Sequence, residues 1–194
     1  MRGISKGIAA LAVAMLLSPP ALRAQGAEFA LGGGVGVPLS DFDDDAKLGW
    51  HGLAAVSFVP EGWPVGIQVD GSYQQFALED DRFIGFGNDL KTRLIMGTAN
   101  IVFKFKTSED SRFRPYLIGG GGVYNSKITG ADDPEDVLGG GETDFGINAG
   151  AGFDFKAGQV GLFIEGRFHN VFTGGEGSDL RFIPITLGVR FGGD

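Results

Sequence analysis

The sequence contains no cysteine among its 194 residues. This absence excludes disulfide bonds, thiol catalysis and thiolate metal sites, so the fold must be stable without covalent cross-links. Cations are also scarce, with 16 Lys and Arg against 24 Asp and Glu and a formal net charge of −8. Nucleic acid is therefore not an expected partner, because binding to phosphates needs clustered cations.

Long hydrophobic runs are missing as well. The apolar stretch at residues 8–17 is too short to cross about 30 Å of hydrocarbon as a helix, and no later segment is longer and equally apolar. This stretch follows the basic residues Arg2 and Lys6 and precedes a pair of prolines, which is the pattern of a secretory signal peptide. We therefore expect residues 1–24 to be a signal peptide that directs export, with cleavage near Ala24.

What the sequence does contain is a period of two. Apolar side chains recur at every second position from Phe29 to Phe191, with small or polar residues between them. On a strand this spacing produces one apolar face and one polar face. The pattern predicts one domain at residues 25–194, with strands at about residues 28–38, 48–59, 65–74, 91–106, 113–127, 144–155, 160–169 and 183–191.

Two of these eight segments fit the pattern less cleanly. In the second segment Leu53 falls on the polar face. In the fifth segment the apolar residues Leu117, Ile118, Val123 and Tyr124 are divided between both faces, so its facing stays open. The regular segments nevertheless favour an all-β fold of consecutive antiparallel strands.

The composition of the two faces distinguishes a membrane barrel from a soluble β-protein. A soluble barrel or sandwich would also alternate, but its outer face would carry many charges. Here the polar faces of the first and sixth segments are mostly Gly, Ala, Asn and Asp, which suit a narrow interior, and the apolar faces carry bulky Phe, Ile and Val, which suit lipid. The sequence therefore predicts a closed eight-stranded antiparallel transmembrane up-and-down β-barrel.

The links between segments alternate in length. Long links are expected at residues 39–47, 78–90, 128–142 and 173–179, and short links at residues 60–63, 107–112 and 157–159. Outer-membrane barrels have short periplasmic turns and longer extracellular loops, so both chain ends should be periplasmic. Aromatic girdles are expected at both ends, from Trp63, Phe105, Phe113, Phe155 and Phe191 at the periplasmic end and from Trp50, Phe145 and Phe172 at the other.

Four segments carry a resemblance to a known family. They are RPYLIGGGG (114–122), GINAGAGFD (146–154), FIEGRF (163–168) and ITLGVRF (185–191). Together they resemble the eight-stranded outer-membrane β-barrel domain of the OmpA/OmpX type, along the whole of residues 25–194. The resemblance implies residence in the outer membrane of a Gram-negative cell envelope, contact with membrane lipids and lipopolysaccharide, insertion by the barrel-assembly machinery, and a monomer. The resemblance is to the barrel without the periplasmic peptidoglycan-binding domain of the OmpA type, so an anchoring role is not expected.

Catalytic and metal-binding motifs are weak. His169 lies near Glu165 on the polar face, but the family's lipid-trimming esterases have a serine where this chain has Val171, and Ser178 is not at a motif position. No catalytic residue is expected, and His51 has no visible partner. The acidic stretches at residues 41–45 and 132–136 lack a complete calcium-loop spacing, so solvated loops are expected, with no metal and no cofactor.

The charged residues of the polar faces suggest what fills the interior. These are Asp70, Asp154, Glu165, Arg167 and Arg190. An eight-stranded barrel is just wide enough for its own side chains, and unpaired charges there would be costly, so we expect these residues to pair in a structural network that plugs the lumen. The sequence favours a structural or surface-interaction role, in adhesion or envelope integrity, through long acidic extracellular loops. A narrow pore for small solutes or ions is the alternative.

The predicted topology can be tested with an epitope tag. A tag inserted near Asp133 should be labelled on intact cells, and the protein should still show heat-modifiable migration, because residues 132–141 are polar, acidic and Gly-rich and offer nothing to pack. The same tag at residues 157–159 should be hidden. Labelling of the second site alone would reverse the topology.

Overall fold

A computed structural model describes residues 26–40, 46–77, 91–108, 111–129, 141–158, 160–174 and 179–192. Within these ranges there are eight strands: β1 (Ala27–Leu39), β2 (Gly49–Phe58), β3 (Val65–Ala77), β4 (Lys91–Lys104), β5 (Phe113–Thr129), β6 (Glu142–Ala157), β7 (Val160–Phe172) and β8 (Leu180–Gly192). Each strand pairs antiparallel with its neighbours in sequence, and β1 also pairs with β8. The predicted closed eight-stranded antiparallel barrel is confirmed. The expected signal peptide lies outside the described residues.

Closure of the sheet sends alternate side chains to the lumen and to the outer face. Outward residues are mainly apolar and exposed, as with Ile101 at 62 % and Leu187 at 63 %. Inward residues include polar side chains that are fully buried, such as Gln74. This distribution is the reverse of that in a soluble protein and matches a barrel surrounded by lipid. Among the described residues, no helix is long and apolar enough to cross a bilayer.

The facing of β5, which the sequence left open, is set by its neighbour β6. Tyr116 and Tyr124 point into the lumen and are buried, while Leu117 and Val123 point outward. Glycines of β6 lie against both rings: Gly152 is the register partner of Tyr116, and Gly146 lies beside the Tyr124 ring. A Cβ at Gly146 would lie 2.7 Å from the Tyr124 ring, closer than packed carbon atoms allow. Glycine on β6 therefore makes room for bulky rings on β5.

The loop-side part of the lumen is apolar, which the alternation did not predict. Phe76, Leu94, Tyr124 and Phe182 are fully buried there and form one cluster with Ala46, Met96 and Val171. These positions extend the inward faces beyond the predicted strand ends, so β3 continues to Ala77 and β8 begins at Leu180. The opposite deviation occurs in β4, which ends at Lys104 rather than at residue 106. Leu53 also points inward, against Ala30, Ala55 and Phe163.

The two ends of the barrel differ in their links. The turn end carries links 59–64, 105–112 and 158–159 together with Ala27 and Gly192, and the loop end carries links 40–48, 78–90, 130–141 and 173–179. Most of the loop-end links lie outside the described residues. Aromatic contacts surround both ends: Phe113 with Phe153 and Phe155, and Phe103 with Phe105, at the turn end; Trp50 with Tyr73, and Phe145 with Phe172, at the loop end.

A pair of substitutions on β8 tests the facing of its side chains. Leu187→Asn should lower the free energy of unfolding by roughly 2 kcal/mol or more, because it places an amide against lipid. Thr186→Asn should have a smaller effect, because it exchanges one polar side chain for another in the lumen, where the Thr186 hydroxyl bonds with His51. Urea unfolding in lipid vesicles measures both values. Equal losses would mean that the assigned faces of β8 are wrong.

Candidate functional site

A buried ion cluster occupies the middle of the lumen. Arg167 on β7 places Nη1 3.0 Å from Asp70 Oδ1 on β3, and its Nη2 contacts Glu165 Oε1 on its own strand. The side chains of all three residues are only 3–4 % exposed. Glu165 and Arg167 share the lumen face because they are two positions apart. One guanidinium thus bridges two carboxylates across the barrel.

Neutral side chains complete the hydrogen bonds of this central cluster. Asp70 accepts hydrogen bonds from Thr98 Oγ1 at 2.6 Å, from Asn100 Nδ2 at 2.9 Å and from Gln68 Nε2 at 3.0 Å. Glu165 Oε2 accepts one from the Tyr116 hydroxyl at 3.0 Å. Buried charges persist only when they are paired and hydrogen-bonded, and both conditions are met here.

A second ion cluster lies at the turn end. Lys104 Nζ is 2.7 Å from both carboxylate oxygens of Glu28 and 3.7 Å from Asp154. Arg190 contacts the same two carboxylates, at 3.4 Å from Glu28 and 3.1 Å from Asp154. The Arg190 guanidinium also lies 5.0 Å from the centre of the Phe163 ring, within the range of a cation–π interaction. The four side chains come from β1, β4, β6 and β8, and each cation contacts both carboxylates.

The five predicted network residues are thus divided between two clusters. The structure brings Asp70, Glu165 and Arg167 together in the middle, and it brings Asp154 and Arg190 together at the turn end. Tyr116 lies between the two groups, bonded to Glu165 and with its ring 5.6 Å from the Arg190 guanidinium.

Sequence reasoning missed Glu28 and Lys104. Both lie near strand ends, where the alternation is hardest to follow. Lys104 nevertheless shares its parity with the buried residues Asn100 and Val102, and Glu28 shares its parity with Ala30. That parity is the signal that could have placed both side chains in the lumen.

On the loop side of the central cluster, two histidines join a layer of rings. His51 Nε2 is 2.8 Å from Thr186 Oγ1, which gives His51 the partner that the sequence did not show. His169 Nδ1 is 2.8 Å from the Tyr124 hydroxyl, and the His169 ring stacks on Phe182 with a centroid distance of 4.9 Å. These contacts fill the lumen with side chains rather than with solvent.

The described residues line cavities of very different size beside the two ion clusters, and the larger of the two lies at the turn end. A cavity of about 420 Å³ lies there, beside the turn-end ion cluster. The cavity beside Asp70, Arg167 and His169 has a volume of only about 10 Å³. A single water molecule needs about 10–15 Å³, so this cavity has at most the space of one.

The described residues offer no arrangement typical of catalysis. His169 bonds to a tyrosine, and Val171, two positions later, is a buried member of the apolar cluster. No group of three or more His, Cys, Asp or Glu residues could hold a metal ion within the described ranges. Ser178 and the acidic stretches 41–45 and 132–136 lie outside those ranges, so the solvated state of the two acidic stretches stays a prediction.

Comparisons with known proteins agree on the fold. A family model described as the outer membrane protein beta-barrel domain matches residues 9–191. No curated protein matches the chain by sequence. Neisserial surface protein A (NspA) has a similar structure, with a TM-score of 0.62 and 16 % identity over 86 % of this chain and 97 % of that one.

Two further solved structures have the same fold. Ail, the attachment invasion locus protein of Yersinia pestis, has a TM-score of 0.52 and 16 % identity over 86 % of this chain and 99 % of that one. It has also been solved with the heparin analogue sucrose octasulfate. The outer membrane enzyme PagL has a TM-score of 0.51 and 14 % identity over 84 % of this chain and 98 % of that one. At these identities the likeness concerns the fold alone.

The central ion cluster can be tested by removing its one cation. Arg167→Met should lower the free energy of unfolding by about 3–5 kcal/mol, because Asp70 and Glu165 would remain buried without a counterion. Adding Asp70→Asn and Glu165→Gln to Arg167→Met should restore much of that loss. Urea unfolding in lipid vesicles measures both values, with Arg181→Gln, whose side chain is 44 % exposed, as the control. A single variant as stable as the control would show that the cluster contributes nothing.

Proposed function

Since the chain belongs to the outer membrane protein β-barrel domain family, we propose that it acts in the outer membrane as a structural and surface-interaction barrel. It is an outer membrane protein, and its exposed Phe, Ile, Leu and Val side chains form the surface that contacts lipid. The proposed role is adhesion or envelope integrity. Residues 1–24 would serve as the export signal, and the barrel-assembly machinery would insert the chain as a monomer.

The observation that carries this proposal is the filled lumen. Arg167 bridges Asp70 and Glu165 at mid-height, and the cavity beside them has only about 10 Å³. A solute would have to separate a buried, hydrogen-bonded ion cluster and then displace a layer of aromatic rings. With the interior occupied in this way, the surfaces left for recognition are the lipid-facing wall and the two ends.

The loop end is the better candidate for recognition of a partner outside the cell. Three of its four links are longer than any link at the turn end, and two of them contain the acidic stretches at residues 41–45 and 132–136. An acidic surface favours a cationic partner, or lipopolysaccharide reached through bridging divalent cations. Ail has been solved with a polysulfated heparin analogue, and the acidic loops of this chain favour ligands of the opposite charge.

The narrow pore is the second candidate, because the turn-end cavity opens part of the lumen. That cavity is partly lined by charged residues, including Lys104, Asp154 and Arg190. Conduction would require the central cluster to open as well. Single-channel recording of the refolded protein separates the two functions, since a plugged barrel should give no steady conductance. Persistent open events in the native protein would favour the pore.

Replacement of a loop tests the surface role. With residues 131–140 exchanged for a Gly-Ser linker of equal length, cells should lose binding to cationic surfaces or to isolated lipopolysaccharide, because an acidic loop has been removed. Binding of whole cells and heat-modifiable migration are the measurements.

The control is Glu61→Gln, which removes an exposed carboxylate from a turn-end link and should leave cell-surface binding unchanged. Unchanged binding by the variant with the replaced loop, in a barrel that still folds, would contradict the assigned surface role.

A further inference from the structure

The cavity at the turn end has a rim of cations that belong to neither of the two ion clusters. Its floor is the turn-end ion cluster, in which Lys104 and Arg190 are paired with Glu28 and Asp154. Those two cations and two carboxylates balance each other. The rim adds Arg112, Arg114 and Lys156, and the described lining residues include no further carboxylate.

The local structure explains why these three cations face the cavity. Phe113 points outward and stacks on Phe153, with ring centres 4.8 Å apart, so the neighbouring Arg112 and Arg114 fall on the inward side. Arg114 is the register partner of Asp154 on β6. The Lys156 amide donates a hydrogen bond of 2.8 Å to the Arg112 carbonyl, which holds the β6 end of the rim against the start of β5.

Two glycines, Gly158 and Gly161, line the cavity near Lys156. Gly161 is the register partner of Lys156 on β6 and of Arg190 on β8. Gly158 lies in the tight turn between β6 and β7 and has a φ of +67°. An added Cβ at Gly161 would lie 3.4 Å from the Arg190 Cβ, which is ordinary contact. The wall is thus free of side chains at Gly161, although a side chain would fit there.

The charge and the size of this cavity together indicate a class of ligand. Among the described lining residues, cations exceed carboxylates by three, which makes this part of the cavity electropositive in a chain of net charge −8. Arginine pairs are well suited to bidentate hydrogen bonding with phosphate oxygens. A volume of about 420 Å³ exceeds that of a bare ion and lies within the range of small-molecule sites, roughly 300–1,000 Å³.

We propose that the turn-end cavity is a binding site for a small molecule that carries a phosphate monoester or phosphodiester group, held by Arg112, Arg114 and Lys156. The site is reached from the side of the short turns, which is the periplasmic side in outer-membrane barrels. The phosphate can belong to a soluble metabolite or to the headgroup of a phospholipid in the inner leaflet. This site is independent of the loop-end surface proposed above.

The test for a soluble ligand uses the native protein in nanodiscs of neutral phosphatidylcholine. Glucose 6-phosphate should shift the amide signals of Gly158 and Gly161 in a saturable manner, and glucose should not. The combined variant Arg112→Gln, Arg114→Gln and Lys156→Gln should weaken binding by about tenfold or more, because the charged hydrogen bonds are lost. The matched control, Lys47→Gln, Lys91→Gln and Arg181→Gln at the loop end, should bind as the native protein does.

Two more arms complete the test. Gly161→Leu should narrow the cavity and weaken binding, read from the Gly158 amide, while the three cations remain. Native mass spectrometry from mixed phosphatidylglycerol and phosphatidylcholine membranes should show retained phosphatidylglycerol if the source is a lipid headgroup, with its loss in the rim variant. Saturable binding of either source that depends on the rim supports the site. Absence of both, or equal loss in the loop-end control, overturns it.

Discussion

The backbone of a chain in hydrocarbon has no water to satisfy its polar groups, and the rest of this structure depends on that constraint. Each N–H and C=O must find a partner within the chain, and a sheet does this fully only when its edges meet. The pairing of β1 with β8 joins those edges. Once the sheet closes, its interior has a fixed and narrow width, and every inward side chain must fit that space.

The composition of the lumen follows from this narrow width. Several large side chains are accommodated because a glycine lies beside them, as Gly146 does beside Tyr124. Charged side chains are accommodated only with counterions, as with Arg167 between Asp70 and Glu165. The abundance of glycine and the buried ion clusters therefore both follow from the narrow width of the lumen.

The fold was predictable because lipid and lumen act on alternate residues, and their opposite demands appear directly as a period of two. The facing of β5 was not predictable from its own residues. Tyr116 and Tyr124 face inward although each has a large ring, and the β6 glycines beside them make room for these rings. The division of the charged residues into two ion clusters could not be predicted from the sequence either, because alternation gives the face of a residue but not its height in the barrel. Whether Asp154 meets Arg190 or Arg167 depends on the stagger between strands.

The turn-end ion cluster has a consequence for the order in which the barrel forms. Glu28 comes from the first strand and Arg190 from the last, with Lys104 and Asp154 from strands between them. Before closure these charges are distributed along an open ribbon and can be hydrated. Glu28 meets Arg190 and Lys104 only when the barrel closes, because β1 is the first strand, whereas Asp154 and Arg190 lie on either side of β7 and can meet before closure. The contacts of Glu28 therefore stabilise the closed barrel and not the open sheet.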